Sequence, residues 1–153
     1  MKYVVGHSVR EYFMNRYAGV NPANGDALWY TADGELTTEF REEDKVMTGK
    51  SFDSPWVGGF GTSLMWKGLS LSAQFSWMAK RYVMNNDRFF EESNGLYSAY
   101  NQSKRLLYDR WKKPGDITDI PRYGVTAQLD DRFPENSSFL RLKNLTLAYA
   151  FPQ

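Results

Sequence analysis

Leu69-Ser70-Leu71-Ser72-Ala73-Gln74-Phe75-Ser76-Trp77-Met78-Ala79-Lys80 alternates with a period of two over its whole length. Leu69, Leu71, Ala73, Phe75, Trp77 and Ala79 share one side, and Ser70, Ser72, Gln74, Ser76, Met78 and Lys80 share the other. Only Met78 breaks the polar side. A helix would scatter these residues around its circumference, whereas a strand places them on opposite faces. The stretch therefore predicts a long two-faced strand.

The residues just upstream predict its partner. Trp56 to Trp66 reads as a second strand, and Lys67-Gly68 reads as a two-residue hairpin turn, with Gly68 suited to the unusual backbone angles. That turn fixes the register. Trp66 falls opposite Leu69, Leu64 opposite Leu71, Thr62 opposite Ala73, Phe60 opposite Phe75, and Gly58 opposite Trp77. On the other face Met65 meets Ser70, Ser63 meets Ser72, Gly61 meets Gln74, and Gly59 meets Ser76. Two strands read separately agree on which face is apolar, and cross-strand pairs of this kind specify register.

Alternation alone fits a soluble β-sandwich as well as a membrane barrel. Dimensions favour the barrel. Trp66 lies at the turn and Trp56 ten residues away. A rise of ~3.3 Å per residue and a tilt of ~40° place them roughly 25 Å apart along a membrane normal, the separation of the aromatic girdles of outer-membrane barrels. The competing reading, a soluble carbohydrate-binding β-domain, would put Trp56, Trp66 and Trp77 in a closed core.

Elsewhere, turn residues divide the chain. A strand-like run, Tyr12 to Tyr17, precedes the turn cluster Asn21-Pro22-Ala23-Asn24-Gly25-Asp26, and a short strand Ala27-Leu28-Trp29-Tyr30 follows. Residues 35–54 read as polar loop, and 81–137 as a long irregular excursion with helical character from Ser98 to Trp111, stopped by Pro114-Gly115. Such loops are uncommon in compact soluble domains but normal on the outer side of a barrel. A last strand runs from Ser138 to Phe151. Its apolar phase slips between Leu142 and Leu145, so a bulge is expected near Lys143-Asn144.

Composition removes several classes of function. Aromatic residues make up 16% of the 153 residues while mean hydropathy is −0.58, which suits strands apolar on one side only. A net charge of +1 gives no basic field for nucleic acid. There is no cysteine, and His7 is the only histidine, so thiolate and multi-histidine metal sites and histidine-based triads are excluded. Glu42-Glu43 and Glu91-Glu92 read as solvated carboxylates, and Gly58-Gly59-Phe60-Gly61 lacks the strand-then-helix context of a phosphate loop. No catalytic residue, metal or cofactor is expected, and the chain is not expected to be an enzyme. Met1-Lys2-Tyr3-Val4-Val5-Gly6-His7 does not resemble a signal peptide, and no stretch approaches the length of a membrane-spanning helix.

Several ordered segments resemble one family. Arg110-Trp111-Lys112-Lys113-Pro114-Gly115-Asp116-Ile117-Thr118-Asp119-Ile120-Pro121-Arg122, then Ser137-Ser138-Phe139-Leu140-Arg141-Leu142-Lys143-Asn144-Leu145-Thr146-Leu147-Ala148-Tyr149, resemble the C-terminal region of the SusC/RagA family. Ala18 to Asp26, Gly58 to Gly61 and Trp66 to Ser72 look like the same family in the same order, so the resemblance covers essentially the whole chain.

The resemblance implies an all-β fold: an antiparallel transmembrane β-barrel segment, several long strands with long extracellular loops, in an incomplete barrel. Residues 1–153 would be part of the C-terminal TonB-dependent receptor β-barrel domain, with the plug and the final strands after Gln153 absent. It implies a transporter of the Gram-negative, Bacteroidota-like outer membrane. Oligosaccharide cargo would be imported with a SusD-like surface lipoprotein as lid and the TonB complex as energy source. Alternatives are import of peptides, of a siderophore or of cobalamin.

In that frame Trp56, Phe60, Leu64, Trp66, Leu69, Leu71, Phe75 and Trp77 are expected to face lipid. Gly59, Gly61, Ser63, Ser70, Ser72, Gln74 and Ser76 are expected to face the lumen. The short turn at Lys67-Gly68 marks the periplasmic side, which makes 20–54 and 81–137 extracellular. There Trp29, Tyr30, Tyr97, Tyr100, Trp111 and Tyr123 are the candidates for contact with cargo or lid. The competing reading for each ring is packing within the loops.

Overall fold

The computed structural model describes residues 3–151; Met1, Lys2, Pro152 and Gln153 lie outside the described residues. The chain is all-β, built from antiparallel sheets that do not close into a barrel. It has two parts: a long three-stranded sheet and a packed unit made by the chain segments that connect and precede its strands.

The sheet holds β6 (Trp56–Trp66), β7 (Leu69–Ala79) and β10 (Phe139–Tyr149), in the order β10-β7-β6. The hairpin register is the one the sequence predicts. Trp66 pairs with Leu69, Leu64 with Leu71, Phe60 with Phe75 and Gly58 with Trp77, with no slip from end to end. Lys67 and Gly68 both have positive φ, 44° and 83°, the geometry of a type I′ turn. Gly accepts that angle freely, and Lys67 is one of three non-glycine residues with positive φ among the described residues.

β10 pairs with β7 through Leu140–Trp77, Leu142–Phe75, Leu145–Ala73, Leu147–Leu71 and Tyr149–Leu69. The register shifts between Leu142 and Asn144, so Lys143 is the extra residue of the expected bulge. Without it, the second half of β10 would turn its leucines to the polar face. With it, one apolar face runs unbroken across three strands of eleven residues each.

The smaller strands are β1 (Glu11–Met14), β2 (Arg16–Val20), β3 (Ala27–Tyr30), β4 (Leu36–Thr37), β5 (Val46–Ser51), β8 (Tyr82–Met84) and β9 (Pro134–Asn136). β1 pairs with β5, β8 with β9, and β2-β3-β4 form a small sheet. α1 (Asn86–Glu91) is capped by Asn85, whose side chain accepts the Arg88 N–H, and α2 covers only Arg105–Tyr108.

Three expectations need correction. The run Tyr12 to Tyr17 is two strands broken at Asn15, whose side chain is buried and donates to the Arg41 carbonyl. Residues 35–54 are not simply loop, since they contain β4, a single 3-10 turn at Glu42–Asp44, and β5. The helical character read over Ser98 to Trp111 shrinks to α2, which ends at its C-cap Asp109, before Pro114-Gly115 is reached. The segment 81–137 is irregular over most of its length, as expected, and it is packed. It contributes Leu106, Ile120, Ala127 and Phe133 to the buried core, alongside Met14, Val20, Ala27 and Trp29 from the first segment. Of the buried hydrophobic residues only Ala73 lies in the long sheet. The core of this chain is in its loops.

Candidate functional site

The candidate residues gather in two places: the faces of the long sheet and the loop unit. The apolar face presents Trp56, Phe60, Leu64, Trp66, Leu69, Leu140, Leu142, Leu145, Leu147 and Tyr149, all exposed. Aromatic side chains gather at both ends, Trp66 with Tyr149 beside the turn, and Trp56 with Trp77 at the loop end. Phe60 and Phe75 stack at mid-strand, with ring centroids 4.9 Å apart. Trp77 lies across Gly58, where an added Cβ would sit 2.8 Å from its indole nitrogen. The glycine leaves room for the ring, a pairing that covers an otherwise bare stretch of backbone.

The opposite face carries Gly59, Gly61, Ser63, Ser70, Ser72, Gln74 and Ser76, joined by Arg141, Asn144 and Thr146 from β10. Met78 is not alone there. It pairs with Val57 and Phe139, so the loop end of this face is apolar.

Among the described residues two acids are buried in the loop unit: Asp44, which accepts the Ala32 N–H, and Asp130, which anchors the larger network. Asp130 is fully buried; its Oδ2 accepts the Trp29 indole N–H at 3.0 Å, and Arg132 closes a two-pronged ion pair at 2.8 Å on each oxygen. The Arg132 guanidinium lies 3.6 Å from the Tyr17 ring centroid. Burial pushes the Tyr17 phenol up to about 12, against the lowering effect of Arg132. Tyr17 Oη donates to the Asp119 carbonyl at 3.0 Å.

The Asp119 carboxylate extends the network outward, with Arg105 at 2.7 Å and Arg88 at 3.8 Å. Partial burial works against its ionisation, but the Arg105 hydrogen bonds and charge prevail and hold it below the usual carboxylate range. Arg105 also binds Glu92 at 2.7 Å, and Arg88 bridges Glu92 and Glu135. These bonds tie α1, α2 and β9 together.

The sequence does not announce two further residues of the unit. Asn94 is buried with a φ of +53°, a conformation asparagine tolerates better than most residues. Its amide nitrogen lies 2.8 Å from the carbonyl oxygens of both Arg122 and Val125, fastening that loop. Asp116 accepts the backbone N–H groups of Lys112 and Lys113 at 3.0 Å each, and these bonds lower its pKa. An Asn or Asp beside Gly was the available signal in both cases, at Asn94-Gly95 and Gly115-Asp116.

The two loop segments that look alike to one family in sequence meet in space. Trp111 packs on Gly25, where an added Cβ would lie 2.4 Å from the indole ring. The Pro22 carbonyl accepts from Trp111 Nε1 at 3.1 Å and from the Gly115 N–H at 2.9 Å, and Arg122 pairs with Asp26 at 2.9 Å.

The six candidate rings are placed very differently. Trp29 is only 4% exposed, committed to Asp130 and packed edge-on against Tyr17 and Phe40. In this fold it is a core residue and not a surface contact, because β3 turns it inward. Trp111 is half-buried as the wedge just described. Tyr97 belongs to an aromatic cluster with Phe89, Phe90 and Tyr100. Tyr30 lies under the Arg16 guanidinium. Tyr100 and Tyr123 stand out, 62% and 71% exposed. Tyr97 and Tyr100 are brought together, with centroids 6.2 Å apart.

A groove of about 410 Å³ opens beside Tyr123, between residues 94–98 and α2. Among the described residues no cluster of three metal-ligating side chains occurs, and no helix is long and apolar enough to cross a membrane. The latter says nothing about crossing by strands.

No family model matches the sequence, and no curated protein matches it. Solved structures do. A chain of the RagAB peptide importer in an open-open state is 38% identical and superposes with a TM-score of 0.82, covering 93% of this chain. The closed-closed state of the same importer gives the same identity, coverage and TM-score. A further structure of the RagAB peptide transporter gives 38% identity and a TM-score of 0.83. The match takes up 16% of each of those chains. Over nearly all of its length, this chain is similar in sequence and fold to about one sixth of a RagAB importer chain.

Proposed function

We propose that this chain is barrel wall and overlying extracellular loop of a SusC/RagA-type, TonB-dependent importer in the outer membrane. The observation that carries this reading is the unbroken apolar face across β6, β7 and β10. Its three strands span roughly 25 Å at barrel tilt, with aromatic side chains at both ends. A face that large and exposed in water would aggregate, whereas lipid satisfies it. β7 is paired along both edges, and the open outer edges of β6 and β10 would be met by neighbouring strands of the barrel, as a bilayer requires.

In this reading Trp56, Phe60, Leu64, Trp66, Leu69, Leu71, Phe75 and Trp77 meet lipid. Gly59, Gly61, Ser63, Ser70, Ser72, Gln74 and Ser76 face the lumen or its plug. The loop unit is extracellular and meets a SusD-like lipoprotein lid. TonB coupling belongs to parts of the parent protein beyond this segment, and the chain carries no catalytic role.

Peptide is the cargo we favour, because the similar structures are those of a peptide importer. Oligosaccharide is the second reading, supported by the exposed rings of Tyr100 and Tyr123, which suit stacking on sugar faces. Deleting the full-length gene in its native host and following uptake of labelled peptides and oligosaccharides tests both. Loss of peptide uptake alone supports the first reading, and loss of glycan uptake alone the second. Recovery of the full-length protein in a soluble fraction would overturn the barrel assignment itself.

A further inference from the structure

Five arginines lie between β8 and β9, and four of them are ion-paired: Arg88, Arg105, Arg122 and Arg132. Arg110 is the exception, with no carboxylate within ion-pair distance among the described residues. It is held in place all the same. Its Nη1 donates to the Asn94 Oδ1 at 3.3 Å, and its guanidinium sits 5.3 Å from the Tyr123 ring centroid. Asn94 is itself buried and fastened to the 121–125 loop, so Arg110 has a rigid support on one side and an exposed ring on the other.

Arg110 lines the 410 Å³ groove together with Asn94, Ser98, Lys104, Leu107 and Tyr123. Lys104 is exposed and has no ion-pair partner among the described residues. Two cations without anions therefore face one groove whose remaining wall includes an aliphatic and an aromatic side chain. The volume falls within the range of small-ligand sites.

We propose that this groove is a subsite for a carboxylate borne by the cargo. Arg110 supplies the planar fork that matches a carboxylate, pre-oriented by Asn94 and by Tyr123, so little side-chain freedom is lost on binding. Lys104 adds a second, looser charge at the rim. Leu107 and Tyr123 cover the apolar group next to the carboxylate. The chemistry is that of a peptide C-terminus following an apolar residue, and a uronic acid in a glycan would offer the same group. The proposal rests on the importer reading.

The test uses the full-length parent protein, purified in detergent, with four probes: acetyl-Ala-Ala-Leu as free acid and as carboxamide, a galacturonic acid trimer, and its neutral galactose counterpart. A charge-assisted pair of this kind predicts about tenfold tighter binding of the acid over the amide. Arg110→Met should abolish that preference, and Arg110→Lys should restore part of it. Lys104→Gln should reduce it about two- to threefold, and this surface change guards against loss of Arg110→Met to misfolding. Discrimination between the two glycans alone would assign the same subsite to uronate. Equal binding of acid and amide together with equal binding of both glycans would overturn the subsite while leaving the importer reading intact. Failure to bind any probe, with no uptake in cells, would overturn both.

Discussion

The indole N–H of Trp29 donates at 3.0 Å to Asp130, 101 residues away in the chain, inside a unit built from two loops. Asp130 is shielded completely from solvent and neutralised by Arg132. The network ties together segments that are far apart in the chain, and it gives the first prediction.

Asp130→Ala should loosen the loop unit by about 3–5 kcal/mol, because it leaves the largely buried Arg132 without its anion. Trp29→Phe keeps an aromatic ring but removes the indole N–H and leaves a small cavity where the larger ring lay, so it should cost less, about 1–3 kcal/mol. Hydrogen exchange of residues 11–51 and 82–136 measures both. Equal protection in Asp130→Ala and the parent would show that the network is not what orders the loops.

Gly25 and Trp111 predict a steric effect. Gly25 has a φ of +79°, and a Cβ there would overlap the indole. Gly25→Ala should displace Trp111 and release the 111–116 turn, seen as faster proteolysis between Lys112 and Lys113. Gly124→Ala is the control. It has a similar φ of +89° but nothing within 4 Å of an added Cβ, so it should show backbone strain alone and a smaller effect.

The face assignment predicts an asymmetry between neighbours. Leu71→Arg, on the face proposed to meet lipid and between the turn-end girdle and the midplane, should cost about 1–3 kcal/mol and reduce the folded, heat-modifiable full-length barrel. Ser72→Arg, one residue along, should be far milder. Similar losses from both would mean that the faces are wrongly assigned.

Titration of the loop unit should show two limits. The Tyr17 phenol, raised to about 12, favours its protonated form in the fold. Its contribution is fully present below the ordinary tyrosine value of about 10 and is lost as pH rises through about 12. Phenolate absorbance should therefore show one late-titrating tyrosine that disappears in Tyr17→Phe. Asp119 is shifted the other way. Its contribution is present above the ordinary carboxylate value of about 4 and is lost as pH falls through its lower folded value. Asp119→Asn should blunt the acid loss of loop protection and bring the alkaline limit down slightly, because the Asp119 charge is one of those that raise the Tyr17 phenol.

The sequence by itself determined the long sheet. Period-two alternation in β7, the Lys67-Gly68 turn and the phase slip at Lys143 fix which residues pair and which face is apolar. They do so because register and face follow from local spacing, and a strand has only two faces to choose between. What only the tertiary structure decided is the loop unit. Asp130, Asn94 and Arg110 look like ordinary loop residues in a polar stretch, and Trp29, though legible in a short strand, carries nothing that says which way it turns. Their roles come from contacts between distant segments, where burial turns one carboxylate into an anchor for Trp29 and Arg132. The same folding leaves Arg110 the one arginine of its segment with no carboxylate within ion-pair distance among the described residues. Charge and ring size are written in the sequence, but which partner each one finds is settled only when two loops close on each other.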